Sequence, residues 1–201
     1  MDANTGISRV AIVGSGLVGS SWAACFLARG LDVVATDPAP GTEDKVRQYV
    51  EVAWTALTKI GLAQGASTSR LRFESNLKEA LAGVDMVQEN APEREPLKIK
   101  LFAEIDSILP PPAILVSSTS GIPMSRIQSE CKHPERCVTG HPFNPPHLIP
   151  LVEVVGGAKP LPRPSNARCA STLRWESVHC IFARRWWGMW QTAFRQRSTG
   201  N

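Results

Sequence analysis

The chain has 201 residues, 43% of them hydrophobic and 20% charged, a composition typical of globular proteins that excludes global disorder and fibrous repeats. Residues 159–201 carry eight cations and one anion, so residues 1–158 have a net charge of −3 although the whole chain has +4. Because the positive charge belongs to this terminal segment and not to a basic face of a fold, we expect no nucleic-acid partner.

The cysteines and the N-terminus indicate the compartment. The five cysteines form no CxxC pair, and their odd number argues against a disulfide framework. No apolar leader precedes the first strand, and no apolar run is long enough to span a membrane. We therefore expect a soluble cytoplasmic chain without a membrane partner. His133, His147 and His179 lack metal-ligand spacing, so we also expect no metal site.

The chain begins with a strand, helix and strand. RVAIVG is a buried strand rich in β-branched residues, LVGSSWAACFLARG has helical spacing and ends at Gly30, and LDVVATD is a second buried strand. The patterns that follow predict a helix from Thr42 to about Leu62, a strand RLRFES, a helix NLKEALAG, a strand VDMVQEN, a helix from about Pro96 to Ile108, and strands AILVSST, ERCVTGH and PLVEVV. Strands and helices alternate through six strands or so, which predicts an α/β fold with a doubly wound, Rossmann-type, mostly parallel sheet over residues 7–158.

A glycine motif follows the first strand and opens the first helix. Its five candidate cofactor-binding residues are Gly14, Gly16, Leu17, Val18 and Gly19. The glycines suit a tight turn, close approach of a pyrophosphate and close helix packing. Asp37 ends the second strand, where its carboxylate can accept both ribose hydroxyls, which favours NAD over a 2′-phosphorylated cofactor. A glycine turn of purely structural use is the alternative.

Two polar stretches follow later strands, and strand ends of this kind line the ligand crevice of an open α/β sheet. One is QENAPEREPLKIK, which contains Glu89, Asn90, Glu93 and Lys98, and the other is SSTSG. Either stretch is also compatible with an ordinary solvated loop.

A histidine and a glutamate lie on either side of the last loop of the domain, within the stretch VTGHPFNPPHLIPLVEVVGG. His141 ends one strand and Glu153 lies in the next, so the chain between them can return the carboxylate to the imidazole. An imidazole can accept the hydroxyl proton of an alcohol while hydride leaves for a nicotinamide, and a carboxylate beside it would orient the ring. Alternation along a solvated strand face explains Glu153 equally well.

Together these motifs resemble the NAD-binding domain of the L-3-hydroxyacyl-CoA dehydrogenase family. The resemblance rests on VAIVGSGLVGS, ENAPEREPLKIK, SSTSG and GHPFNPPHLIPLVEVVGG and covers about residues 8–158. Within the family, DPAPG and the last motif are most similar to the L-carnitine dehydrogenase subgroup. The resemblance implies NAD as cofactor and a small-molecule substrate, either a 3-hydroxyacyl-CoA or a carnitine-like acid.

The resemblance also implies roles for individual residues. His141 would be the catalytic base and Glu153 its partner, while Ser120 would contact the 3-oxygen of the substrate. Asn144 would help to place the nicotinamide and the substrate. Glu93 and Lys98 would contact the ribose of NAD and neighbouring groups.

The resemblance stops near residue 158. In the family an all-helical domain follows and supplies dimer contacts, so full-length relatives are expected to be homodimers. Residues 159–201 do not match it; they hold four of the six tryptophans and are rich in arginine. A tail that docks on an anionic surface is one interpretation. We favour a non-homologous segment from a shifted frame or unspliced sequence, and we expect it to be poorly ordered and turnover to be weak or absent.

Overall fold

The structure is a computed structural model that describes residues 7–149 and 151–157 and the backbone of residues 178–182. Within these residues, helices alternate with the first six of eight strands. The strands are β1 (Arg9–Val13), β2 (Asp32–Thr36), β3 (Leu71–Phe73), β4 (Met86–Glu89), β5 (Ile114–Ser117), β6 (Cys137–Pro142), β7 (Leu151–Gly156) and β8 (Val178–Phe182). The helices are α1 (Leu17–Ala28), α2 (Thr42–Ile60), α3 (Leu77–Ala80), α4 (Glu95–Ile108) and α5 (Met124–Ile127), and 3-10 turns span Thr68–Arg70 and Pro134–Arg136.

All eight strands belong to one sheet, in the order β3-β2-β1-β4-β5-β6-β7-β8. The first six run parallel, and β7 and β8 extend the sheet antiparallel. The chain builds outward from β1 in both directions, so a crevice opens at the carboxyl ends of β1 and β4, where ligands bind in such sheets. The predicted doubly wound, mostly parallel α/β fold is confirmed, and the seven strands named from the sequence are joined by an eighth, β8, that was not expected.

A hydrophobic core lies on each face of the sheet, and β1 contributes to both. Val10 and Ile12 face one core with α1 and α2, while Ala11 and Val13 face the other with α4. Successive side chains of a strand point to opposite faces, so a central strand of this sheet must be apolar throughout. This requirement explains why the run RVAIV identifies the strand from sequence alone.

The helix ends differ slightly from the expected bounds. Helix α1 stops at Ala28, before Gly30 with φ +80, and α2 stops at Ile60, before Gly61 with φ +112. Glycine adopts this left-handed region without the steric cost that other residues incur. Helix α5 is a single turn, too short to produce a helical pattern in the sequence.

The segment after residue 157 is described only where β8 pairs with β7. Residues 158–177 and 183–201 lie outside the described residues. The domain boundary at 158 and the poor order expected of residues 159–201 therefore stay predictions. Within the described part of the chain, no helix is long and apolar enough to cross a membrane.

Candidate active site

The glycine turn brings β1, α1 and β4 close together. Gly14 has φ +89 and its N–H donates to the Thr36 carbonyl at 2.9 Å, which ties the turn to β2. A Cβ on Gly14 would lie 2.8 Å from the Asn90 carbonyl carbon, and a Cβ on Gly19 would overlap the Gly14 oxygen. At Gly16 a Cβ would meet nothing within 4 Å. Two glycines thus permit close packing, and the third leaves open space at the start of the helix.

The open space at Gly16 lies where a helix presents free backbone donors. Gly16 is the N-cap of α1, and the first-turn N–H groups of a helix point outward without intrahelical partners. These donors and the helix dipole favour an anion such as a pyrophosphate. Leu17 is 68% exposed in the same turn, and Val18 lines the neighbouring cleft. The turn therefore fits a dinucleotide, as the motif predicts.

Asp37 lies beside this turn at the end of β2. Its Oδ2 accepts the Ser15 N–H at 2.8 Å and its Oδ1 accepts the Ala39 N–H at 2.9 Å. Each carboxylate oxygen can accept a further hydrogen bond, so both remain able to accept a ribose hydroxyl. The arrangement suits the adenosine end of NAD.

A cleft of about 230 Å³ continues from the start of α1 along the carboxyl ends of β4, β5 and β6. It is lined by Val18, Asn90, Ala91, Glu93, Lys98, Ser118, Ser120, His141, Pro142 and Asn144. Seven of these are residues singled out from the sequence, which the structure brings together: Val18, Asn90, Glu93, Lys98, Ser120, His141 and Asn144. The remaining glycine-turn residues and Asp37 lie outside the cleft lining, and Glu153 reaches the cleft only through His141. The roles predicted for all of these residues stay predictions.

Lys98 is a buried cation at the inner wall of the cleft. Its Nζ donates to Glu89 Oε1 at 2.7 Å and to the Ala91 carbonyl at 3.0 Å, and it lies 3.6 Å from Glu93 Oε2. Glu89 is fully buried and also accepts from the Ala91 N–H and the Ser117 hydroxyl, each at 2.6 Å. Because a buried charge is costly unless it is paired, Glu89 explains how Lys98 is held there. The sequence did not single out Glu89 as this partner.

Glu93 holds the loop that follows β5. Its Oε1 accepts the Thr119 hydroxyl at 2.6 Å, the Ser120 N–H at 3.0 Å and the Gly121 N–H at 3.1 Å. Partial burial raises the pKa of Glu93, but these three hydrogen bonds and the charge of Lys98 outweigh it, so the pKa lies below its ordinary value. The carboxylate thus fixes the backbone at Ser120.

Ser118 forms a hydrogen-bonded junction that sequence reasoning missed. Its Oγ accepts from Gln88 Nε2 at 2.8 Å and from Trp22 Nε1 at 3.2 Å, and donates to Asn90 Oδ1 at 2.7 Å. The residue lies in the SSTSG stretch, so a signal was present, but nothing in the stretch distinguishes Ser118 from Ser120. Only the position of α1 reveals that Ser118 joins three elements.

His141 and Glu153 face each other across β6 and β7. They are direct partners in the antiparallel register, and His141 Nδ1 lies 3.0 Å from Glu153 Oε2. The side chains are 29% and 36% exposed, so the carboxylate is neither fully buried nor freely solvated. Since Nδ1 is engaged by the carboxylate, Nε2 remains for a group in the cleft. The loop between β6 and β7 brings the two side chains together as expected.

No group of three or more His, Cys, Asp or Glu residues that could hold a metal ion occurs in the described ranges. His133 pairs with Glu135 at 3.4 Å on the surface, away from the cleft lining. His147 contacts Ser21 and Tyr49. His179 lies in β8, of which only the backbone is described.

Comparisons with known proteins agree with this geometry. The family model of the 3-hydroxyacyl-CoA dehydrogenase NAD binding domain matches residues 9–169, which extends beyond the predicted boundary at 158. L-carnitine dehydrogenase of Streptomyces coelicolor is 53% identical over 153 residues, which are 76% of this chain and 48% of the relative. L-carnitine dehydrogenase of Bacillus cereus is 52% identical over 160 residues, 80% of this chain and 49% of the relative.

Solved structures show the same architecture. An NAD-dependent 5-formyl-3-hydroxy-2-methylpyridine 4-carboxylic acid 5-dehydrogenase has a TM-score of 0.71 at 40% identity, over 78% of this chain and 51% of its own. The 3-hydroxybutyryl-CoA dehydrogenase of Escherichia coli has a TM-score of 0.70 at 31% identity, over 77% of this chain and 33% of its own. The chain spans about half the length of the curated relatives that it matches. The resemblance seen in the sequence is confirmed: the chain belongs to the 3-hydroxyacyl-CoA dehydrogenase family, as its NAD-binding domain, and NAD is its cofactor.

Proposed function

We propose that this chain is the cofactor-binding half of an NAD-dependent dehydrogenase that oxidises the 3-hydroxy group of an L-carnitine-like acid, with His141 as the base. The observation that carries the proposal is the 3.0 Å contact between His141 and Glu153 at a cleft shared with Val18 of the cofactor-binding helix. The carnitine-like substrate is favoured over a 3-hydroxyacyl-CoA because L-carnitine dehydrogenases are 52–53% identical to the chain.

The proton passes to His141. Glu153 accepts the hydrogen bond of Nδ1–H, so the lone pair on Nε2 can take the proton of the substrate hydroxyl as the O–H bond breaks. The imidazolium that forms lies beside the carboxylate, which stabilises it as in a catalytic triad. NAD held at the glycine turn and Asp37 would supply the hydride acceptor for the carbon that bears this hydroxyl, and the secondary alcohol would thereby become a ketone.

Other residues of the cleft bind and orient. Ser120, whose backbone is held by Glu93, offers its hydroxyl to the 3-oxygen, and Asn144 places the substrate against the nicotinamide. Glu93 and Lys98 contact the nicotinamide ribose. Gly16 leaves room for the pyrophosphate, and Asp37 accepts the adenosine ribose hydroxyls.

An NAD-binding module with little or no catalysis is the second candidate function. It is favoured by the family match, which is to an NAD binding domain over residues 9–169. Binding of NADH does not distinguish the two functions, but turnover does.

The test measures NADH binding and L-carnitine-dependent NADH formation by the purified 201-residue chain. We expect His141→Gln to lower turnover about 100- to 10,000-fold, the usual contribution of a general base. NADH binding should be unaffected. His133→Gln is the matched control, because this exposed histidine lies away from the cleft lining.

The outcomes separate the candidates. Turnover of His141→Gln at the rate of the unsubstituted chain would refute the assigned base. NADH binding without turnover on L-carnitine or 3-hydroxybutyryl-CoA would favour the binding module. Faster turnover of the CoA thioester would overturn the substrate class.

A further inference from the structure

We propose that His147 and Ser21 are a positioning pair that fixes the loop carrying Asn144 against α1 and thereby sets the affinity for the nicotinamide end of the cofactor. The inference rests on the proposed function, in which Asn144 places the nicotinamide. Neither residue lines the cleft. Both act through the loop between β6 and β7.

The pair uses both hydrogen-bonding capacities of one buried hydroxyl. Ser21 Oγ lies 2.7 Å from His147 Nδ1, and the same Oγ accepts the backbone N–H of His147 at 3.3 Å. Ser21 is fully buried, so its hydroxyl needs partners within the protein. With the imidazole proton on Nε2, the hydroxyl donates to Nδ1 and accepts from the amide, so both partners are satisfied.

The loop has few donors of its own with which to attach to the domain. Pro145 and Pro146 follow Asn144 and lack an N–H. The amides of Leu148 and Ile149 both donate to the Pro145 carbonyl at 3.0 Å, which closes a turn within the loop. The contacts of His147 reach out of this turn to α1, so they fix where the turn lies.

Helix α1 is a suitable anchor because its start forms the cofactor site. Ser21 follows Val18 by three residues, which places both on one face of the helix, and Val18 lines the cleft. Displacement of the loop from Ser21 would therefore move Asn144 relative to the cofactor-binding turn. The adenosine end, beside Asp37, would be unaffected.

A second helix holds the ring of His147 in place. The Tyr49 ring on α2 meets it edge to face, with centroids 5.8 Å apart and planes at 88°. Burial lowers the pKa of His147, which favours the neutral ring that can accept from Ser21.

The test compares two ligands, NADH and ADP-ribose, which lacks the nicotinamide. Ser21→Ala and His147→Phe should each weaken NADH binding about three- to tenfold, the range for the loss of one hydrogen bond. The affinity for ADP-ribose should change by less than about twofold, because the substitutions do not touch the residues that hold the adenosine end of the cofactor. His147→Asn, whose Oδ1 can occupy the position of Nδ1, should restore most of the NADH affinity. Cys25→Ala, one turn further along α1, is the matched control and should bind both ligands normally.

ADP-ribose binding also reports whether each variant is folded. Equal weakening of both ligands in Ser21→Ala and His147→Phe, or no weakening of either, would overturn the positioning role while leaving the proposed function intact. Failure of His147→Asn to recover NADH affinity would overturn the hydrogen bond as its basis. If the unsubstituted chain bound ADP-ribose but not NADH, the nicotinamide site would be wrong and both proposals would fail.

Discussion

Replacing Lys98 by methionine tests how strongly the buried Glu89 beneath the cleft depends on its cation. The change leaves Glu89 without its cation at a place where both side chains are at most 1% exposed. Glu89 keeps the hydrogen bonds from Ala91 and Ser117, but removing one partner of a buried pair costs about 3–5 kcal/mol. Against a total stability of about 5–15 kcal/mol, this is a large loss. With an m-value of about 2 kcal/mol per M, the urea midpoint should fall by about 2 M.

The assay is urea unfolding followed by far-ultraviolet circular dichroism. Lys100→Met makes the same chemical change at an exposed position of α4 and should alter the free energy of unfolding by less than about 0.5 kcal/mol. The double variant Glu89→Gln/Lys98→Met should recover part of the loss, because it removes the uncompensated charge. Equal destabilisation by Lys98→Met and Lys100→Met would refute the reasoning.

The glycine turn and the loop after β5 give two further predictions. Gly19→Ala should lower the free energy of unfolding by about 1–3 kcal/mol, because the added Cβ would overlap backbone atoms. Gly16→Ala should leave the free energy of unfolding unchanged but weaken NADH binding, because the added Cβ would fill the open space at the start of the helix. Thermal unfolding and NADH titration check this, and equal unfolding temperatures for the two variants would contradict it. Because the pKa of Glu93 lies below its ordinary value of 4.5, its carboxylate contributes stability that is full above that pH and is lost as the pH falls further. The stability difference between the unsubstituted chain and Glu93→Gln should therefore shrink in acid, which urea unfolding at a series of pH values measures. A difference that stays constant with pH would argue against the interaction.

Much of the fold follows from local pattern. The strand RVAIV must be apolar on both faces, and the long helix α2 has an amphipathic period that ends at a glycine, so both were predicted close to their bounds. The short elements α5 and β8 were not predicted. Helix α5 has one turn and hence no period, and β8 lies in a segment whose composition carries no strand pattern.

The candidate site was predicted in part. The glycine turn and Asp37 belong to one local unit whose geometry is conveyed by spacing, so sequence reasoning could place them together. Glu89 and Lys98 were both noted in the stretch after β4, but their pairing was not predicted, because a polar stretch at a strand end does not indicate which of its residues contact each other. Ser118 was overlooked because it lies beside a similar serine.

The sequence by itself determined the βαβ unit, the glycine turn with Asp37, and the family. These features depend on residues close together in the chain, where backbone sterics and the periods of strand and helix act directly. The tertiary structure decided which distant residues meet. Ser21 and His147 lie 126 positions apart, and the antiparallel register of β6 and β7 pairs His141 with Glu153. Such contacts depend on strand order and on where a helix packs, and no local pattern specifies either.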